Sequence, residues 1–286
     1  MQQTPAPLTG HGPANPPGSL VIVGTGITLG SHISPLSRSY ISQADVVFAG
    51  VADGITELWL QDMHPDVRSF AALYQAGKSR HLTYQQMVSL MLTEVRLGKK
   101  VVGAFYGHPG VFAYAPHKAI ALARAEGYAA HMEPGISAAD CLHADLGIDP
   151  GKFGCQYFET SQFMFYQRRI DATAYLVLWQ VGIAGDQSVA KTSTGEAYLQ
   201  VLVELLQEHY PLNHQVFLYE AASLPLQQPR ITQLPLAALP QASMDQKTTL
   251  VIPPARTLEK NQWVLDKLNA LDQATALAEG SPEPSA

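Results

Sequence analysis

A cluster of tyrosine, lysine and arginine lies in the stretch YQAGKSRHLTY, residues 74–84. A phenol ionises only near pH ~10 on its own, so it serves as a base where positive charge favours its phenolate. Tyr84 has Lys78 and Arg80 just upstream. Thr83 and Gln86 form a T-x-x-Q pattern, which predicts a capping box and a helix starting at Thr83. Tyr84 would then sit in the first turn, near the positive end of the helix dipole. The same residues also suit a basic surface loop with one aromatic packed on the helix.

Three glycine-bearing segments follow short apolar runs. AFYGHPGVF (residues 104–112) carries Gly107 and Gly110, which free the backbone amides, and Pro109, which fixes a turn. Such a loop at a strand's carboxyl end suits a ligand. Tyr106 offers a hydroxyl there. His108 in isolation reads as a hydrogen-bonded turn histidine more readily than as a catalyst. VGTGI (residues 23–27) follows another strand, but Gly24, Gly26 and Gly30 miss the dinucleotide spacing. It fits a tight strand-to-helix turn as well as a ligand loop. In MEPGISA (residues 132–138), Ser137 is placed to cap a helix.

These segments need strands and helices to hold them. Strands are predicted at 20–23, 46–48, 100–105 and 128–132, with helices at 34–42, 54–61, 83–97 and 115–126. In the 83–97 helix, Met87, Leu90, Met91 and Val95 share a face. This alternation predicts an α/β fold with a mostly parallel sheet. After Pro134-Gly135 the pattern changes. Strands are expected at 174–181, 215–219, 230–234 and 248–252, and long helices only at 196–208 and 258–271, which suggests a mixed sheet. The division expected is a flexible lead over 1–18, an α/β domain over 19–134, a second α/β domain over 135–256, and a helix with a disordered tail over 257–286.

Composition narrows the function. The chain has 286 residues, 47% hydrophobic, with net charge −6 and 15% charged residues. It has enough apolar material for a large core and no basic block, so a nucleic-acid partner is not expected. Cys141 and Cys155 are the only cysteines, too few for a disulfide framework or a zinc site. No metal is expected. The first residues lack a secretory pattern, and no stretch approaches the roughly 18 apolar residues of a membrane span. A cytoplasmic location is expected.

The order of GTGI, YGHPGVF and EPGISA resembles the tetrapyrrole methylase superfamily, whose two α/β domains bind S-adenosyl-L-methionine (SAM) in the cleft between them. GKSRHLTYQQM (77–87), EVRLGKKVVGAFYGHPGVFAYAPHKA (94–119), LVLWQVGIAG (176–185) and TTLVIPPA (248–255) are more closely similar to the borosin peptide backbone N-methyltransferases. By this resemblance Arg80, Tyr84, Tyr106 and Tyr74 match the catalytic residues. Tyr106, His108, Val111, Ser137, Ala138, Gln180, Ala221, Thr248 and Thr249 fall where the family surrounds SAM. A further family tyrosine is replaced by Ala71.

The resemblance implies SAM-dependent α-N-methylation of peptide amides, with S-adenosyl-L-homocysteine as product. Tyr84 would accept the amide proton and Arg80 would stabilise the imidate oxyanion. It also implies a homodimer, in a 2:2 complex with its peptide. Residues 272–286 hold no Val/Ile/Leu-rich core segment, so a separate precursor peptide is expected. Two other readings stand beside this one: a porphyrin or corrin methyltransferase, and a non-catalytic SAM- or peptide-binding module.

Overall fold

The computed structural model describes residues 18–51, 53–75 and 77–279. The expected tail over 280–286, and all but Gly18 of the expected lead, lie outside the described residues.

Five strands build a wholly parallel first sheet: β1 (Ser19–Gly24), β2 (Val46–Gly50), β3 (Val67–Ser69), β4 (Lys100–Phe105) and β5 (Ala129–Met132), in the order β3-β2-β4-β1-β5. Both faces are covered, as a parallel sheet requires. Side chains alternate along a strand: Leu20 and Ile22 pack with Met91 and Ala119 on one face, while Val21 and Val23 pack with Ile41 and Leu60 on the other. Helices α3 (Arg80–Arg96) and α4 (Tyr114–Ala125) cover the first face. Helices α1 (Pro35–Ser42) and α2 (Gly54–Met63) cover the second.

A short helical passage, α5 (Ala138–Leu146) and α6 (Pro150–Phe153), leads to the second sheet. Its strands are β6 (Cys155–Glu159), β7 (Tyr175–Trp179), β8 (Gln215–Glu220), β9 (Arg230–Pro235) and β10 (Thr249–Ile252), in the order β6-β7-β10-β8-β9. Only β6 and β7 are parallel; the other pairings are antiparallel. The sheet is therefore mixed, as its sequence suggested. Leu176, Leu178, Leu250 and Ile252 pack against Leu202 and Leu206 of α8 (Glu196–Leu206). Val177, Trp179 and Val251 face Leu142 of α5 on the other side. Helices α7 (Thr160–Phe165) and α9 (Gln262–Glu279) complete the architecture. Among the described residues no helix is long and apolar enough to cross a membrane.

Several expected boundaries move for physical reasons. Helix α3 begins at Arg80, not Thr83, because Ser79 caps it by accepting from the His81 N–H at 3.3 Å. The Thr83–Gln86 capping box does not form. Thr83 is buried and its hydroxyl donates to the Leu73 carbonyl at 3.4 Å, while Gln86 accepts from Lys78 Nζ at 2.5 Å. Strand β7 stops at Trp179 because Gln180 adopts a left-handed conformation (φ 59°) and Val181 opens a 3-10 turn. The last helix starts at Gln262, later than Leu258.

Candidate active site

The loops after β1, β4 and β5 meet at the carboxyl end of the first sheet. Gly26 and Gly107 exchange backbone hydrogen bonds of 3.2 and 3.0 Å, and the Thr25 N–H donates to the Phe105 carbonyl at 2.8 Å. Glycine is required at two of these points. A Cβ on Gly24 would lie 2.4 Å from the Gly107 carbonyl oxygen and 2.9 Å from Gly135 Cα, and Gly107 itself has φ +65°. Ser137 forms a full capping box at the start of α5: its hydroxyl accepts from Asp140 N at 3.3 Å, and its own N–H donates to Asp140 at 2.6 Å.

These loops line a cleft between the two sheets. A cavity of about 360 Å³ is bounded by Tyr74, Tyr84, Tyr106 and His108, with Val111, Ala138, Gln180 and Thr249. A smaller chamber of about 110 Å³ adds Ser137. A third, of about 150 Å³, adds Ala221. Tyr106 and Ala138 border all three. His108 Nδ1 accepts from the Gly110 N–H at 2.9 Å, so one ring nitrogen holds the loop together while the ring faces the cleft.

Two expected site residues stand apart. Thr248 is fully buried; its hydroxyl donates to Glu220 and accepts from Asp245 N at 2.9 Å, and it borders none of the three chambers. Arg80 does not line the cavity either. Its guanidinium donates to the Lys191 carbonyl at 2.6 Å, and its N–H to the Val189 carbonyl at 3.1 Å. The receiving loop is built by Asp186, which is 5% exposed. Its carboxylate accepts from Ser188 Oγ at 2.6 Å and from the N–H groups of Ser188, Ala190 and Lys191 at 2.9, 3.0 and 2.9 Å. A second tie crosses the cleft where Leu29 N donates to the Ser223 carbonyl at 2.9 Å and Thr28 Oγ1 to the Ala222 carbonyl at 2.9 Å.

The electrostatics correct one expectation. Burial pushes the Tyr84 phenol up, and the nearby Arg80 charge lowers it by less. Burial likewise pushes Tyr106 up to about 12; Tyr74, still 53% exposed, is raised by partial desolvation and by its neighbour Tyr84. Arg80 thus acts on Tyr84 in the expected direction, but desolvation outweighs it.

Other residues at the cleft escaped sequence reasoning. Trp179 packs between Phe112 and Tyr157, at centroid distances of 6.0 and 6.3 Å, and its buried Nε1 has no hydrogen-bond partner. Phe112 holds a positive φ of 50° beside it. Lys247 borders the main cleft and the Ala221 chamber. Trp179 closes an apolar run with nothing in sequence to separate it from core, and Lys247 follows no motif.

The model of the tetrapyrrole (corrin/porphyrin) methylases matches residues 19–240. The chain belongs to the tetrapyrrole methylase family. Its likeness to solved structures agrees at the level of fold: a cobalt precorrin-4 methyltransferase of cobalamin biosynthesis superposes with a TM-score of 0.61 at 17% identity, covering 82% of this tetrapyrrole methylase chain and 94% of that one. Sequence similarity is greater to fungal proteins. The methyltransferase/ribosomally synthesized cyclic peptide gymnopeptides precursor of Gymnopus fusipes is 40% identical over 258 residues, 89% of this chain and 61% of that protein. A methyltransferase/type I borosin cyclic peptide precursor of Coprinopsis marcescibilis is 39% identical over 269 residues, 91% of this chain and 69% of that protein. The chain therefore spans about three fifths to two thirds of the length of these relatives.

Proposed function

We propose that this chain is a SAM-dependent methyltransferase that α-N-methylates backbone amides of a separate precursor peptide. The observation that carries the reading is the convergence of Tyr74, Tyr84 and Tyr106 on one cleft, with Arg80 close enough to influence two of the phenols. The similarity to cyclic peptide precursor methyltransferases supports a peptide as acceptor. A tetrapyrrole would need cations for its carboxylates, yet Lys247 is the one lysine or arginine among the residues bordering the chambers described.

The cleft fits the donor. Trp179 Nε1 is a buried donor without a partner beside this cleft, and the Phe112 ring, 57% exposed, offers a face to a flat heterocycle. Tyr106, His108, Val111, Ser137, Ala138, Gln180, Ala221 and Thr249 would surround it, with Thr248 holding the strand start from behind. When bound, SAM supplies an electrophilic methyl on a sulfonium and leaves as S-adenosyl-L-homocysteine.

The chain's own residues then prepare the nucleophile. An amide nitrogen is weak until its proton is removed. Tyr84 as phenolate accepts that proton, and Arg80, held at the Lys191 carbonyl beside the cavity, would act through its charge on both the phenolate and the oxyanion developing on the amide carbonyl. Tyr74 and Tyr106 line the same cavity and would hydrogen-bond the amide there. Positioning in the cleft supplies much of the rate. Leu90, expected on the apolar face of α3 with Met87, Met91 and Val95, turns outward instead and is 42% exposed; with Leu82 of α3 (54%) and Leu97 just past its end (65%) it would bury against a second copy, giving a homodimer in a 2:2 complex with the peptide.

Incubation of the chain with SAM and a candidate precursor peptide tests this. Methyl increments on the added peptide are expected in the mass spectrum. Increments on this chain's own residues would overturn action in trans. SAM binding with no transfer to any peptide would favour a binding module.

A further inference from the structure

One large cavity beside the cleft has no part in the chemistry above. It measures about 660 Å³ and lies between the end of β2, the turn from Phe70 to Tyr74, and the loop Asp245–Lys247. It shares Gly50, Tyr74, Gln246 and Lys247 with the main cleft, so the two adjoin. One wall is apolar: Val51, Ala71 and Tyr74, the last 53% exposed, present their surface over a floor of Ala49 and Phe70, which belong to the core. The facing wall is polar, with Thr192 and the Asp245–Lys247 ion pair at 4.0 Å.

We infer that this cavity receives the side chain of a peptide residue next to the amide being methylated, that it selects a large apolar or aromatic side chain, and that Ala71 sets its size. The inference rests on the peptide methyltransferase reading. An apolar wall beside a reaction cleft gains from covering apolar surface, and a polar rim leaves the peptide backbone its hydrogen bonds. Three neighbouring lining positions leave little latitude. A Cβ on Gly50 would meet the Phe105 ring at 2.7 Å. Ala49 and Phe70 belong to the core. Ala71 is small and exposed. Its backbone is pinned: its N–H donates to Ser69 Oγ at 3.1 Å, and its carbonyl accepts from Tyr74 N at 3.1 Å. A larger residue there changes the pocket without moving the turn.

The test uses the 286-residue chain and peptides that differ only in the residue flanking the methylated amide. The wild-type chain should favour Leu or Phe over Ala by roughly ten- to hundredfold in kcat/KM. Ala71→Phe should erase that preference, lowering rates for the large-residue peptides while sparing the Ala peptide; Ala71→Ser should leave the ranking unchanged. Affinity for the same peptides with S-adenosyl-L-homocysteine present should show the same order without turnover. An equal loss for every peptide, or an unchanged ranking in Ala71→Phe, overturns the pocket. Should the wild-type chain methylate no peptide, the methyltransferase reading falls, and the binding order still decides the pocket.

Discussion

At the scale of single residues, the tyrosines and Arg80 decide how the site responds to pH. In the proposed mechanism Tyr84 loses its proton before it acts, and burial keeps that proton on. Activity should therefore rise with pH through the neutral and mildly alkaline range. Arg80 lowers the Tyr84 pKa, because a cation favours the phenolate. Arg80→Gln should shift the rising limb of the kcat/KM profile to higher pH, and a limb that stays in place would remove Arg80 from this role. Tyr84→Phe should cost about 10²- to 10⁴-fold in kcat with SAM affinity retained, measured by single-turnover kinetics and calorimetry. Tyr74, Arg80 and Tyr84 stood out in sequence because they fall in one short segment, although the residues alone suited a basic surface loop; their roles came from the family resemblance. The balance of charge against burial was not, since desolvation depends on what covers Tyr84 from other elements.

At the scale of elements, the glycine loops and the Asp186 loop do the positioning. Gly24→Ala places a methyl group against the Gly107 backbone, which has no flexible end to yield. A loss of roughly 1–3 kcal/mol in stability, with weakened SAM binding, is expected from chemical unfolding and titration. Asp186 gathers four donors and thereby presents two carbonyls to Arg80. Asp186→Ala should lower kcat by roughly ten- to hundredfold while SAM affinity stays near the wild-type value. Burial pushes the Asp186 carboxyl up, but its hydrogen bonds from Ser188, Lys191 and Ala190 outweigh that and hold it below the ordinary value. Its contribution to stability is thus present above the unfolded aspartate pKa and is lost as pH falls through the lower folded one.

Element recognition from sequence followed burial. Strands β1, β2 and β4 are buried along nearly their whole length and read as apolar runs. Strands β3 and β6 are half-buried throughout, so neither a run nor an alternation marks them. The start of α3 was misplaced because Arg80 and His81 are polar residues with no apolar period, and Ser79 alone marks the cap.

At the scale of the molecule, the switch from a parallel to a mixed sheet was visible in the thinning of helical patterns after Pro134. How the halves face each other was not, because cross-cleft contacts such as Thr28 to Ala222 join residues far apart in the chain through backbone atoms that carry no sequence signature. The exposed leucines of α3 bear on assembly. Sedimentation should find a dimer, and Leu90→Glu should shift it toward monomer; a monomeric wild-type chain at micromolar concentration would end that reading.

The backbone ties across the cleft have a further use. The N–H of Leu29 and the N–H of Arg80 each donate to a carbonyl of the other half. An amide held this way exchanges with deuterium only when its tie opens. These two amides are therefore internal clocks for the parting of the halves. If product release requires that parting, added product should slow both clocks together. Slowing at Arg80 alone would instead place the motion in its small supporting loop.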